Sequence, residues 1–196
     1  YISYIRTLWI NNYMLPELIF FTGVPGSRWS GIAREIKEDP SYDTTDRAPH
    51  RVYRHHNFNG HQEAYFGTGM EFDTSLNASN LYAPFSGEGT KLLLSHEWPY
   101  YFADIKEMYP NAWIQLIYRP DQPSMDWWLQ AGGFTITYPN YDFYVDIDGM
   151  WDKICEQNKL ILDFAQRNKL QWIQHHKHTD IFITTYKGKI NEPQDS

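Results

Sequence analysis

Three scarcities in the sequence exclude whole classes of protein. Cys155 is the single cysteine among 196 residues, so the chain forms no internal disulfide, which favours a reducing compartment. No apolar run approaches the roughly 20 residues that a membrane-spanning helix needs. Positive charge is in deficit, with a formal net charge of −7, whereas a general nucleic-acid binder would show a basic face. We therefore expect a cytoplasmic protein without a membrane span or a nucleic-acid partner. A sequence that begins at Tyr1 rather than methionine leaves an upstream anchor or signal open.

Aromatic residues, in contrast, are abundant. They make up 17% of the chain, more than a ligand groove needs, so most of these rings are expected in the core. A chain of 196 residues fits one domain with a sizeable core. Residues 38–89 carry little periodicity, and an irregular stretch of that length is typical of a lid or binding loop. We predict a single domain over 1–196 with an irregular insertion at about 38–89.

A glycine-rich loop near the start of the chain indicates an anion site. The apolar run 18–22 predicts a buried strand, the loop 23–30 breaks it, and the apolar spacing over 32–36 predicts a helix capped by Ser27. A strand, a tight loop and a helix aim backbone N–H groups and a helix dipole at one point, which favours phosphate. A kinase P-loop also needs Gly-Lys before its Ser or Thr, but Arg28 and Trp29 stand there. The loop is therefore predicted to bind phosphate without ordinary ATP chemistry.

The rest of the pattern predicts an α/β domain. Apolar runs over 91–95, 113–118 and 181–184 predict strands, and 99–109, 121–130 and 151–170 predict helices, the last capped by Asp148. The buried face of that long helix is expected to hold Trp151, Ile154, Cys155, Leu162 and Ala165. Strands that alternate with helices predict a three-layer α/β/α architecture around a central parallel sheet. Its ligands would bind at the carboxyl ends of the strands.

Three segments fall at those strand ends, and together they resemble the sulfotransferase family. That family moves a sulfuryl group from 3′-phosphoadenosine 5′-phosphosulfate (PAPS) to a hydroxyl or amine. The loop is similar to its 5′-phosphosulfate loop, Val-Pro-Arg-Ser-Gly-Thr-Thr, and here consists of Val24, Pro25, Gly26, Ser27, Arg28, Trp29 and Ser30. Ser27 and Ser30 match its hydroxyl positions, while Gly26 replaces its basic residue and Arg28 its glycine. The resemblance implies a P-loop NTPase-like fold, with Arg28 supplying a basic catalytic contact from a shifted position.

Two further segments are similar to the family's site for the 3′-phosphate. Residues 117–121, Ile-Tyr-Arg-Pro-Asp, resemble a strand that ends in Tyr-Arg-Asn-Pro, whose arginine binds this phosphate. Arg119 takes that role by resemblance, and Ser124 stands in for an assisting serine because Trp127 occupies its usual place. Tyr186-Lys187-Gly188-Lys189 is similar to a C-terminal basic segment, which implies that Lys187 helps to hold the nucleotide.

The general base is implied by a third segment. Residues 94–99, Leu-Ser-His-Glu-Trp-Pro, resemble the strand-end histidine before a proline that acts as base in soluble members. His96 is therefore expected to take the acceptor's proton, since an imidazole suits base chemistry at neutral pH. Glu97 stays open as the base, because other branches use a glutamate. Adjacent side chains on a strand point to opposite faces of the sheet. His96 and Glu97 can therefore reach the same acceptor hydroxyl only if the strand ends at Ser95.

The predicted activity is thus a PAPS-dependent sulfotransferase that needs no metal. Two alternatives stay open: a divergent P-loop kinase or NTPase, and a non-catalytic domain that binds a partner or a glycan. The acceptor is expected at the insertion and can be a tyrosine, a sugar, a lipid or a small alcohol. The segment 65–72 either forms the pocket that binds the acceptor or packs against the core and supports it.

Three further sets of titratable or charged residues occur in the sequence, two of histidines and one of arginines. Neither histidine set, at positions 50, 55, 56 and 61 or at 175, 176 and 178, has zinc spacing or a cysteine partner, so no metal site is predicted. Arg47, Arg51 and Arg54 are either solvated or reach an anionic substrate.

Overall fold

The main feature of the fold is a five-stranded sheet. The computed structural model describes residues 15–46, 54–55, 64–65, 67, 69–72, 74–137 and 145–189. The strands of this sheet are β1 (Leu18–Gly23), β3 (Lys91–Leu94), β4 (Trp113–Tyr118), β6 (Ile173–Gln174) and β7 (Phe182–Tyr186), in the order β3-β1-β4-β7-β6. A separate pair joins β2 (Arg54–His55) to β5 (Ile136–Thr137).

The sheet is mixed rather than wholly parallel. β1 pairs in parallel with both β3 and β4, whereas β7 is antiparallel to β4 and to β6. The predicted parallel sheet is therefore confirmed for three strands and wrong for β7. The reason is connectivity: the helical crossover after β4 delivers β6 in the direction of β4, and the short connection 175–181 then reverses the chain. A short connection permits only an antiparallel neighbour.

Helices cover both faces of the sheet. They are α1 (Trp29–Ile36), α2 (Ala78–Tyr82), α3 (Phe102–Met108), which follows a 3₁₀ turn at Trp98–Tyr101, α4 (Asp121–Gln130) and α5 (Ile147–Arg167). Successive β1 side chains enter opposite cores, Phe21 beside α1 and Phe20 in the core that contains α3 and α5 residues. Both phenylalanines are fully buried, as expected for a strand covered on both faces. The three-layer α/β arrangement is thus compatible with the prediction.

The turn after β3 is anchored by Trp98. Its indole N–H donates to the carbonyl of Leu93 at 2.8 Å, and its ring packs edge-on to Phe20 at 5.1 Å between centroids. The side chain is fully buried, so its truncation would remove on the order of 3–5 kcal/mol of folding free energy. This anchor fixes the short segment that carries His96 and Glu97.

The long helix α5 differs from its prediction in two ways. It is capped by Asp146, whose side chain accepts from the Gly149 N–H at 2.8 Å, and not by Asp148. Of the five residues predicted to be buried, Ile154 and Ala165 are buried, Trp151 and Cys155 are half-buried, and Leu162 is exposed. The buried face also includes the polar pair Gln157 and Asn158, which a search for apolar spacing does not detect.

Several predictions fall on residues that the structure does not describe. They concern Arg47, His50, Arg51, His56 and His61, together with the side chains of Arg54 and His55. Within the described ranges, no helix combines the length and the apolar character needed to cross a bilayer.

Candidate functional site

The three strand-end segments lie at one edge of the sheet. The Ser95 N–H donates to the Phe21 carbonyl at 3.2 Å, which brings the end of β3 beside β1. Gly23 is in register with Ile117, so β1 and β4 end together. A guanidinium nitrogen of Arg119 donates to the Gly26 carbonyl at 3.1 Å. The loop, the histidine turn and Arg119 thus share the edge where a parallel α/β sheet binds its ligands.

The loop is a tight turn that leads directly into α1. The Ser27 N–H donates to the Val24 carbonyl at 3.0 Å, and Gly26 and Arg28 both adopt left-handed conformations, with φ of 79° and 64°. Arg28, rather than Ser27 as predicted, occupies the N-cap position of α1. Its side chain makes no capping hydrogen bond to the backbone of the helix. The positive pole of the helix dipole at this end favours an anion there.

Gly26 is required by packing against α4. A Cβ at this position would lie 1.8 Å from the carbonyl oxygen of Ser124. The basic residue of the loop that this segment resembles therefore has no space at position 26. Positive charge at this edge comes instead from Arg28 and Arg119.

The two loop serines have different surroundings. Ser27 is fully buried, and its hydroxyl has no hydrogen-bond partner among the described residues. This hydroxyl lies against Gly23, where a Cβ would approach it to 2.6 Å. A buried hydroxyl without a partner costs roughly 1–3 kcal/mol. The Ser30 hydroxyl lies 3.5 Å from the Tyr65 carbonyl, which is the limit of a hydrogen bond.

Trp127 holds the two guanidinium groups at the loop. Arg28 lies 4.1 Å above its ring centroid and Arg119 lies 6.0 Å from it, so both make cation–π contacts. Arg119 also places two nitrogens 2.7 Å from one carboxylate oxygen of Asp180. In the family resemblance Trp127 marked a missing serine, and in the structure it provides a platform for both arginines.

The structure brings Ser124 to this edge but not Lys187. The buried Ser124 hydroxyl donates to the Arg119 carbonyl at 3.2 Å, within the first turn of α4. Lys187 follows β7 and lies at the opposite end of the sheet, with its amino group 5.2 Å from the ring of Trp113, the first residue of β4. The antiparallel direction of β7 is the cause, whereas the alternation of strands and helices in the sequence predicts a parallel strand.

Comparisons of the chain with protein-family models, with characterised proteins and with solved structures find no match. Among the described residues, no group of three or more His, Cys, Asp or Glu side chains is arranged to hold a metal ion. His175, His176 and His178 do cluster, with ring centroids of His175 4.6 and 5.2 Å from the other two. This cluster lies in the connection between β6 and β7.

His96 and Glu97 are partners. β3 ends at Leu94, so the alternation rule for a strand does not apply, and the two side chains turn toward each other. The Nδ1 atom of His96 lies 3.1 Å from a Glu97 carboxylate oxygen and 3.2 Å from the amide oxygen of Gln157, and both oxygens can accept from a protonated Nδ1. His96 is 2% exposed. Its imidazole is therefore held in one orientation by a carboxylate and an amide.

Opposing effects set the protonation of this pair. Burial alone would lower the pKa of His96, but the carboxylates of Glu71 and Glu97 outweigh it and raise the pKa. Burial would raise the pKa of Glu97, but the hydrogen bond and charge of His96, aided by Lys153, lower it. Both shifts in pKa therefore favour the charged forms of the pair.

Four residues of this edge were missed by the sequence reasoning: Glu71, Lys153, Gln157 and Asp180. Gln157 had a signal, because it sits three residues after Ile154 on the buried stripe of a helix and is itself fully buried. A polar residue on an apolar stripe usually has a buried polar partner. Glu71 lies in the irregular insertion and Asp180 in a turn, where no periodicity marks a residue.

Proposed function

We propose that this chain is a sulfotransferase that transfers a sulfuryl group from PAPS to a hydroxyl or amine. The observation that carries the proposal is the convergence, at one sheet edge, of a helix N-terminus, two guanidinium groups and an oriented imidazole. In-line group transfer depends on positioning and on charge stabilisation more than on covalent chemistry by the protein. These groups are the ones that such a transfer requires.

The residues around the loop fit a phosphate-bearing nucleotide. The α1 terminus with Arg28 would stabilise negative charge at the 5′ end, and the buried Ser27 hydroxyl is a donor with no described partner. Arg119 would hold the 3′-phosphate, where its planar guanidinium matches phosphate geometry. When bound, PAPS would supply the sulfuryl group. The acceptor oxygen or nitrogen would form a bond to sulfur as the bond from sulfur to the 5′-phosphate oxygen breaks, and adenosine 3′,5′-bisphosphate would leave with the electron pair.

His96 would take the proton from the acceptor hydroxyl or amine. Glu97 on Nδ1 orients the ring and stabilises the imidazolium that forms, while Lys153, 3.3 Å from the same carboxylate oxygen, limits its negative charge. The Nε2 side of the ring then receives the proton. A positioned base of this kind contributes about 10²–10⁴ in rate.

Isothermal titration with adenosine 3′,5′-bisphosphate, without Mg²⁺, tests the nucleotide site directly. We expect saturable binding with a dissociation constant in the micromolar range. A folded sample that takes up no nucleotide at high micromolar concentration would refute the proposal. Tighter binding of Mg-ATP than of the bisphosphate would favour a P-loop kinase or NTPase, the alternative that shares the anion loop.

A second candidate function is a binding domain that keeps the fold without catalysis. It is favoured by one observation: Arg119 and His96 already have carboxylate partners, Asp180 and Glu97, in this structure. Incubation with ³⁵S-labelled PAPS and a panel of phenols, sugars, lipids and small alcohols separates the two. Nucleotide binding without transfer to any acceptor in the panel would support the binding domain.

A further inference from the structure

The segment 70–72 of the insertion is fixed to the end of β3. The Phe72 N–H donates to the Leu94 carbonyl at 2.7 Å. Met70 and Phe72 are both buried and belong to the cores on opposite faces of the sheet. Phe72 also stacks on Phe85 with ring centroids 5.9 Å apart. The segment is thus clamped on both sides, and Glu71 stands between its two anchors.

Glu71 reaches the histidine turn with both carboxylate oxygens. One oxygen accepts from the Ser95 hydroxyl at 2.9 Å and from the His96 N–H at 3.3 Å. The other lies 3.8 Å from Nε2 of His96. The Ser95 hydroxyl in turn accepts from the Glu97 N–H at 3.1 Å. One buried carboxylate therefore organises the backbone and the side chains of residues 95–97.

This arrangement is costly on two counts. Glu71 is a non-glycine residue in the left-handed region, with φ of 44°, and its side chain is 1% exposed. Backbone strain and buried charge persist only where the surrounding structure over-determines them, and both cluster at functional sites. The strain aims the side chain at the turn, since the flanking residues are committed to the two cores.

The charges around the ring favour one proton on His96. Glu71 from the insertion, Glu97 from the turn and Lys153 from α5 are the charged groups that face the imidazole in the described residues. Counted over these described groups alone, with both carboxylates ionised, the net charge is −1 when the imidazole is neutral and zero when it carries a proton. The described charges around the ring therefore favour the imidazolium.

We propose that Glu71 is a positioning residue for His96, which fixes the turn 95–97 and stabilises the imidazolium from its Nε2 side. The inference extends the proposed function, in which His96 is the base, and assigns a task to the insertion beyond binding the acceptor. Glu97 and Glu71 then flank the ring on its two nitrogen sides. At 3.8 Å the contact of Glu71 with Nε2 is electrostatic rather than a hydrogen bond.

Glu71→Gln tests this inference with two measurements. The first is the titration midpoint of His96 by NMR in the nucleotide-free protein, which needs no activity. The second is the pH profile of sulfuryl transfer. We expect the midpoint to fall, the rising limb of the profile to shift to lower pH, and plateau turnover to fall about tenfold, a part of the 10²–10⁴ of the base. Glu107→Gln, an exposed carboxylate on α3, is the matched control and should change neither.

Glu71→Asp keeps the inference falsifiable if the Gln variant does not fold. It retracts the charge by one methylene, so the midpoint should fall less than in the Gln variant and turnover should be partly restored. An unchanged midpoint in a folded variant overturns the inference, whether or not transfer is seen. If the titration midpoint of His96 falls in the variant but the wild type transfers no sulfate, the proposed function is refuted. The effect of Glu71 on His96 is then still supported.

Discussion

We expect the histidine cluster between β6 and β7 to make the fold sensitive to acid. His175 is 6% exposed, and burial together with the neighbouring His176 and His178 lowers its pKa to about 4, against the opposing charge of Glu35. In the unfolded chain its pKa is about 6.5. The unfolded state therefore binds a proton between these values while the native state does not. Stability attributable to His175 is intact above about pH 6.5 and falls as the pH falls toward 4.

The size of the effect follows from the difference between the two pKa values. The full shift corresponds to about 3 kcal/mol, at 1.36 kcal/mol per unit. At pH 5 the loss relative to pH 7.5 is about 2 kcal/mol, a large share of a typical stability of 5–15 kcal/mol. His96, whose pKa is raised, acts in the opposite direction, because its contribution is fully present below about pH 6.5 and is lost as the pH rises through its folded pKa.

A variant isolates the contribution of His175 from these opposing ones. In the wild type the Lys177 N–H donates to the Nδ1 atom of His175 at 3.2 Å. The His175→Asn variant keeps an acceptor for this N–H, but its side chain does not titrate. Urea unfolding followed by tryptophan fluorescence at pH 5 and pH 7.5 gives the free energy of unfolding of both proteins. We expect the variant to gain about 2 kcal/mol relative to the wild type on going to pH 5.

His176, an exposed neighbour of His175, serves as the matched control for this experiment. His176→Asn, in the same connection, should change the pH dependence by less than half as much. Parallel stability curves for the wild type and His175→Asn would refute the reasoning, because the buried histidine would then contribute nothing to the acid response.

Further predictions concern the candidate site. Arg119→Ala should weaken adenosine 3′,5′-bisphosphate binding more than tenfold, about 1.5–3 kcal/mol, while Arg167→Ala on the exposed end of α5 should not. Equal weakening of a nucleotide that lacks the 3′-phosphate would show that Arg119 acts otherwise. His96→Ala should cut turnover by about 10²–10⁴ with unchanged nucleotide affinity. If Glu97→Gln instead caused the large loss of turnover, the base would be Glu97. Wild-type turnover should rise with pH through the raised pKa of His96, because only the neutral imidazole accepts a proton; a flat profile over pH 6–9 contradicts this. Gly26→Ala should lower the melting temperature by several degrees, since its Cβ would lie 1.8 Å from a carbonyl oxygen, and an unchanged temperature would contradict the packing argument.

The sequence was sufficient for elements that are bounded by strong local signals. The strand Trp113–Tyr118 was predicted at its observed bounds, because an apolar run ends at Arg119-Pro120. The helix Asp121–Gln130 was also predicted at its bounds, with a glycine pair just beyond it. Their place at the sheet edge followed from parallel pairing with β1, which local alternation of strands and helices predicts.

The partners of the candidate site were beyond local pattern. Asp180 meets Arg119 because β7 runs antiparallel, and strand direction depends on where the chain returns after α5. Glu71 meets His96 because its neighbours are buried in two different cores, which is a tertiary property of an irregular segment. Gln157 is the exception, because its place on the buried stripe of α5 is a local signal; it was missed because a search for apolar periodicity counts a polar residue as exposed.

The position of β1 at the centre of the parallel strands has a consequence for biosynthesis. β1 is the first described strand to be synthesised, yet its partners begin at Lys91 and Trp113. At 5–20 residues per second a ribosome needs roughly 4–15 s to reach the first of them. During this interval the apolar strand Leu18–Gly23 has both edges unpaired, so the nascent chain offers a binding site to a chaperone. Closing these long loops also predicts slow folding, because distant strands have to meet before the sheet is stable.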